Sequence, residues 1–447
     1  MNNIVAALKT VNYRLYYALV LTGLLPTLYL TVRIYYLGAM PGEWGFNIAS
    51  QMAWVGLIYE VVQEALILPL FFLLGKSLSK TDEFENKVRT GLLVTFGVYS
   101  SISLILIVFT RPLVVLMAQN TNLIDATVSY VRIESIAALF STLTRFIILV
   151  LITMKKSNYM YYLLGVQMLM SVLLDTFLVS SLSFSLNIGV NGIAITNIIV
   201  NITMLTIALI LLNRENIKVI FNNTKPSFGW LKEWYSVGKF SGLESFFRNL
   251  AFMVMIIRIV NEVSEQGSYW IANNFIWFWL LLPVLALGDL VKKEVGEDID
   301  NIRTKTFGYF VVVTIIVIAW LITIPVWKPF LQYVMNVSEY EKVYGIVTLQ
   351  LVFYITFAYN SIMDSTFYGV GKTNYMLYQS LCIDVFYYGV MFILYITHMF
   401  TPTLTTISLM FGGGMLLDFI PTAILYRKLL HEKQIRIRDI FNISQGI

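Results

Sequence analysis

Lys156-Ser157-Asn158-Tyr159-Met160-Tyr161-Tyr162 follows one long apolar stretch and opens the next. Lys372-Thr373-Asn374-Tyr375-Met376-Leu377-Tyr378 does the same later in the chain. Both fit the pattern K-[ST]-N-Y-M-x-Y. The copies begin at 156 and 372, an offset close to half of the 447 residues. Two such copies in matching positions mark a chain built of two related halves.

Outward from the heptapeptides, the flanks match as well. Leu68-Pro69 has a counterpart in Leu282-Pro283. Each is followed by a charged loop ending in Val88-Arg89-Thr90 or Ile302-Arg303-Thr304. Asn213-Arg214 pairs with Tyr426-Arg427.

Composition sets the solvent. Hydrophobic residues make up 58% and charged residues 13%, against about 45–50% and about 25% in soluble domains. Mean hydropathy is +0.74. This is the composition of an integral membrane protein. Cys382 is the single cysteine, so no internal disulfide forms, and His398 and His431 are the only histidines. No Cys/His cluster suggests a metal, and no catalytic constellation suggests an enzyme. The net charge of +5 does not indicate nucleic acid, because basic residues in such chains mostly set topology. The first apolar segment is too long for the core of a cleavable signal peptide.

A spanning helix needs about 20 apolar residues. Twelve segments qualify: 13–37, 48–75, 90–110, 124–153, 158–183 and 189–213, then 230–261, 268–291, 307–327, 342–369, 374–398 and 403–427. They predict an all-α polytopic protein of two pseudo-symmetric six-helix bundles, 1–213 and 230–447. A polar linker, 214–229, joins them and includes Asn222-Asn223-Thr224, and a basic tail follows segment twelve. The order of features is the same in both halves, so the repeats are parallel, related by an axis along the membrane normal. Lys9, Arg14, Lys76 to Arg89, Lys155, Lys156, Arg214 to Lys232, Lys292 to Lys305, Lys372 and the tail fall on one side. Only Arg111, Lys328 and Lys342 fall on the other. The positive-inside rule makes both termini and the linker cytoplasmic, in the cell (inner) membrane.

Ionisable residues inside the spans are costly and invite a function. They are Arg33, Glu60, Glu64, Arg132, Glu134, Arg145, Asp175, Glu244, Arg248 and Arg258, followed by Asp289, Asp364, Asp384 and Asp418. Glu244 and Arg248 are four apart and could simply satisfy each other. Glu60 and Glu64 are like charges on one face and need a partner or a watery cavity. Asp289 reads as an interfacial partner of Lys292 and Lys293. Trp270, Trp277 and Trp279, with Phe353, Tyr354, Phe357 and Tyr359, could stack on a planar or cationic ligand. Interfacial belts and packing are the plainer account of such aromatics.

At segments five and six the chain resembles a known family. Asp175 in Leu173-Leu174-Asp175-Thr176-Phe177-Leu178, then Gly189-Val190-Asn191-Gly192-Ile193-Ala194-Ile195-Thr196, resembles the MATE (multidrug and toxic compound extrusion) transporters. Their superfamily also holds lipid-linked oligosaccharide flippases. Ser241-Gly242-Leu243-Glu244, Gly369-Val370-Gly371-Lys372-Thr373 and the six-plus-six plan add to the likeness. The resemblance implies a V-shaped pair of bundles with a central cavity. It also implies export of organic, often cationic compounds in exchange for Na+ or H+. In many members the coupling cation sits on an Asp of helix one, an Asn and an Asp of helix five and a Thr of helix six. Asp175 and Thr196 match that set. Ser171 stands at the Asn and, by its spacing to Gly38, Arg33 stands at the first Asp. Another branch uses a helix-ten carboxylate. Phe357 falls at that position, and Asp364 does not.

The expected function is therefore secondary active efflux of amphipathic small molecules by alternating access, coupled to H+ or Na+ and needing no cofactor. Coupling-site candidates are Arg33, Ser171, Asp175, Thr196, Glu60 and Glu64. Substrate-cavity candidates are Glu244, Arg248, Trp277, Tyr354, Phe357 and Asp364. The expected partners are the substrate and membrane lipids, with the chain acting as a monomer. The alternative is a lipid or lipid-linked saccharide flippase, for which Arg33, Arg132, Arg145 and Arg248 would converge on anionic headgroups. A membrane-embedded transferase would need a large hydrophilic loop that the chain lacks. We expect Arg33 to find its acidic partner in Asp175.

Overall fold

The computed structural model describes residues 2–40, 44–78, 80–156, 158–218 and 225–441. Ser157 of the first heptapeptide and Asn222-Asn223-Thr224 of the linker lie outside the described residues. The described residues are helical, with no strand among them. Among the described residues, nine helices are long and apolar enough to cross a membrane, and a tenth span forms if Gln266–Leu280 and Leu282–Glu297, bent by 54°, are taken together. The remaining sequence segments, 48–75 and 230–261, are helical but interrupted. The protein is an all-α, multi-pass membrane protein.

The chain forms two compact units, Tyr29–Gly267 and Met1–Leu28 with Ser268–Ile447. The division therefore does not fall at the 214–229 linker. Segment seven packs with the segments that precede it, and the reason lies in segment two.

Segment two is not one helix. Met52–Leu66 ends, and Leu70–Gly75 begins after Pro69. Proline has no N–H and clashes with the carbonyl four residues back, here Ala65. Segment seven, whose helix is Leu231–Phe252, covers the exposed carbonyls. Ser241 Oγ donates to Glu64 O at 2.8 Å and Trp234 Nε1 donates to Leu66 O at 2.8 Å. Between them Gly238 lies so close that a Cβ there would stand 1.9 Å from Ala65 O. Gly242 rests on the Ala65 side chain in the same way. Phe146, Ile147, Leu163, Met204, Leu212 and Trp234 belong to one buried cluster beneath this seam.

In the other unit, the matching Leu282-Pro283 also marks a break. The backbone passes through a π turn, Phe275–Leu280, and Leu281 N bonds to Ile276 O, before Leu282–Glu297 resumes. Phe367 is fully buried between Tyr375 and Tyr426, with ring centroids at 5.5 and 6.2 Å.

The heptapeptides open on identical turns. Lys155 and Gly371 take the left-handed conformation, φ 61° and 74°. Lys156 N then bonds to Leu151 O, and Lys372 N to Phe367 O, each at 2.9 Å. This is the reach-back that closes a helix C-terminus. Each heptapeptide also grips a glutamate. Lys156 Nζ and Tyr159 Oη hold Glu215 at 2.9 and 2.8 Å. Lys372 Nζ and Tyr375 Oη hold Glu432 at 2.9 and 2.6 Å.

Candidate functional site

Polar side chains gather at three places. In the Tyr29–Gly267 unit, Arg33 Nε donates to Asp175 Oδ2 at 2.7 Å and Nη2 donates to Oδ1 at 3.3 Å. This two-pronged contact fixes the guanidinium and carboxylate planes together. The Asp175 side chain is 2% exposed and that of Arg33 11%. Beside Asp175, the Thr176 hydroxyl meets Tyr36 Oη at 2.7 Å. Ser171 and Thr196 are buried on their helices, and the Thr196 hydroxyl has no hydrogen-bond partner. Glu134, also buried, accepts from Asn197 Nδ2 at 2.6 Å. Glu134 is visible in the sequence as an intramembrane charge. Its partner Asn197 follows Thr196 directly and carries no such signal.

The second cluster surrounds Arg248 in the same unit. Its Nη1 donates to Glu60 at 3.2 Å, its Nη2 to Glu64 at 3.1 Å and its Nε to Glu244 at 3.1 Å. The like-charged Glu60 and Glu64 thus share one guanidinium, which also takes the i,i+4 partner Glu244. Three carboxylates against one base leave an excess of negative charge. Arg248 and Glu60 are open to the surface, at 41% and 36% side-chain exposure.

The other arginines do not join these two. Arg132 Nε donates to Ile107 O at 3.1 Å from an exposed position, and Arg145 Nη1 donates to Gln63 at 2.5 Å. Among the described residues, Arg33, Arg132, Arg145 and Arg248 share no hydrogen-bond partner.

The remaining candidates lie in the other unit. Trp277, Tyr354 and Phe357 pack on one another, with centroids 5.6 to 6.5 Å apart, and Trp277 Nε1 donates to Tyr354 Oη at 3.2 Å. Asp364 accepts from Gln379 Nε2 at 3.0 Å, and Asp418 accepts from Asn360 Nδ2 at 2.9 Å. Lys292 lies 3.0 Å from Asp289, as their spacing suggests.

A helical membrane protein with Pro-broken spans and paired intramembrane charges has the marks of a transporter. Comparison with solved structures defines the fold more closely. An inward-facing multidrug resistance MATE family transporter of the MOP superfamily superposes with a TM-score of 0.77 at 15% identity, covering 91% of this chain and 95% of that one. The Vibrio cholerae MATE transporter VcmN in its bent form gives 0.66 at 16% identity, covering 97% and 99%. A MOP superfamily transporter from Pyrococcus furiosus, described as having a binding pocket of reverse polarity that suggests a different function, gives 0.68 at 15%, covering 95% and 96%. No family model and no curated protein matches the sequence. The chain has the twelve-helix MATE transporter fold in a strongly divergent sequence.

Proposed function

We propose that the protein is a MATE-like secondary active exporter of amphipathic organic cations, working by alternating access. The observation that supports this best is the Arg248 cluster. Glu60, Glu64 and Glu244 outnumber their one base, and the cluster is open to the surface within apolar helices. Such a site attracts a cation with an apolar body and repels an anionic headgroup. The flippase alternative needs converging arginines, and the four candidates are engaged by separate groups. In this reading both termini face the cytoplasm and the chain acts alone in the cell membrane.

Arg33 then acts as a built-in cation where the resemblance places a coupling ion. Its guanidinium pairs with the Asp175 carboxylate through two hydrogen bonds, and this reading places the exchangeable site elsewhere. Purified protein in proteoliposomes tests the function. An imposed H+ or Na+ gradient should drive accumulation of a fluorescent organic cation. Gradient-independent scrambling of a labelled anionic lipid, with no cation transport, would establish the flippase instead.

A further inference from the structure

Arg33, Arg145 and Arg248 each donate to an acidic or amide side chain. Arg132 does not. It lies exposed on Ile124–Thr153, and its Nε donates to the backbone carbonyl of Ile107, on Thr81–Leu116, at 3.1 Å. Among the described residues it forms no ion pair. A guanidinium carries five N–H donors, so four stay open here. The carbonyl does not account for the arginine, because Thr110 Oγ1 also donates to Ile107 O, at 3.2 Å. Pro112 withdraws the donor of Val108 O, one residue on, and not that of Ile107 O.

The setting is apolar. Leu104, Ile105 and Val108 are exposed around Ile107, and Ile136 is exposed one turn beyond Arg132. Such side chains on spanning helices face lipid tails, which are as apolar as they are. Acids on the same helix are engaged elsewhere. Glu134 is buried and accepts from Asn197, and Asp125, two turns away, is held by Arg111 at 2.6 Å.

Depth supplies a second, independent sign. Ile124–Thr153 has 30 residues, about 45 Å at the helical rise. Centred on a hydrocarbon core of about 30 Å, it overhangs by roughly 7 Å at each end. Arg132 follows Ile124 by about 12 Å, so its Cα lies roughly 5 Å inside the core. An arginine side chain covers that distance, with its stem in hydrocarbon and its head at the level of lipid phosphates.

We propose that the seam between segments three and four binds one anionic phospholipid, with its phosphate on the open fork of Arg132. The two helices run antiparallel, so Leu104 and Ile136 both lie on the bilayer-centre side of Arg132, where the acyl chains run. In the topology proposed above, this lipid belongs to the leaflet away from the cytoplasm. A phosphodiester offers the two oxygens that a guanidinium fork takes together. Charge selects an anionic lipid. Arg111 and Asp125 cancel, the Arg132 charge stays unbalanced, and a zwitterionic headgroup brings an ammonium that it repels. The site does not depend on what the protein exports.

Native mass spectrometry of the purified full-length protein, titrated with phosphatidylglycerol or phosphatidylcholine in detergent, tests this. Wild-type protein should bind phosphatidylglycerol the more tightly. Arg132→Gln keeps a donor for Ile107 O and removes the charge. It should weaken the tightest phosphatidylglycerol binding roughly fivefold, the effect of one basic residue near an anionic lipid. A second variant keeps the arginine. Ile136→Glu sets a competing carboxylate one turn away and should abolish the preference for phosphatidylglycerol, whereas Ile136→Gln should keep it. Three results overturn the site: equal binding of the two lipids by the wild type, an unchanged preference in Arg132→Gln or Ile136→Glu, or binding of glycerol phosphate as tight as that of the lipid.

Discussion

Glu215 holds the place in the first half of the chain that Glu432 holds in the second. Each is the carboxylate that its heptapeptide's lysine and tyrosine grip together. The repeat that reveals the two halves is thus a clasp, tying the start of segment five to the end of segment six and the start of segment eleven to the end of segment twelve.

This clasp has a definite pH window. Lys156 and the Tyr159 hydroxyl hold the Glu215 carboxyl below its ordinary range, and Glu215 holds the Lys156 ammonium above its own. A carboxyl with a lowered value stabilises above its unfolded pKa and loses that contribution as the pH falls through the folded one. Glu215→Gln should therefore lower the unfolding temperature at pH 7 by a few degrees, and the gap should close in acid, below 4.5. Thermal unfolding of both proteins across that range checks it. A gap that persists unchanged in acid would mean that the glutamate acts by packing.

Arg33 and Asp175 form the most enclosed ion pair of the Tyr29–Gly267 unit among the described residues. Removing one partner of such a pair leaves a stranded charge, at a cost of about 3–5 kcal/mol. Arg33→Ala should be poorly folded, and Arg33→Ala with Asp175→Asn should recover much of the loss. Chemical unfolding of the single and double variants decides. A double variant as unstable as the single would show that the pairing itself is not what matters.

The Arg248 cluster should respond in the opposite sense on function and on stability. Glu60→Gln removes one partly exposed charge from the proposed cation site. It should weaken binding of an organic cation by roughly fivefold, about 1 kcal/mol, with little change in unfolding temperature. Arg248→Gln frees three carboxylates, so it should destabilise the fold while strengthening cation binding. Fluorescence titration with a cationic dye reads both, and equal losses in the two variants would argue against a cation site.

Two glycines near segment two make an internal control. Gly56, in Met52–Leu66, has nothing within 4 Å of the place a Cβ would take, whereas a Cβ on Gly238 would stand 1.9 Å from Ala65 O. Gly56→Ala should stabilise by up to about 1 kcal/mol, from helix propensity alone. Gly238→Ala should force the two helices apart and lower the yield of folded protein. Size-exclusion profiles of the two variants would distinguish them, and an unaffected Gly238→Ala would mean that the seam can open without cost.

The helical plan is legible because bilayer thickness writes itself into sequence as apolar length. The repeat is legible because K-[ST]-N-Y recurs, but its purpose is not. Glu215 and Glu432 lie far along the chain from their lysines, and only the fold brings them back. Arg33 and Asp175 can be paired from the cost of a lone guanidinium together with a family likeness. The sharing of Arg248 by three glutamates cannot, since i,i+4 spacing points to Glu244 alone. Order along the chain puts segment seven in the second half, whereas its packing follows from Pro69. A proline shows where carbonyls lose their donors and says nothing about which distant helix supplies replacements.

That replacement has a consequence for how the protein is made. The carbonyls of Glu64 and Leu66 wait for Ser241 and Trp234, which are synthesised some 170 residues later. Unpaired backbone groups in hydrocarbon cost several kcal/mol each. Until segment seven leaves the ribosome and enters the membrane, segment two is an unfinished helix. The first six spans released alone should be recognised as incomplete by membrane quality control, and co-expression of a fragment beginning before Trp234 should rescue them.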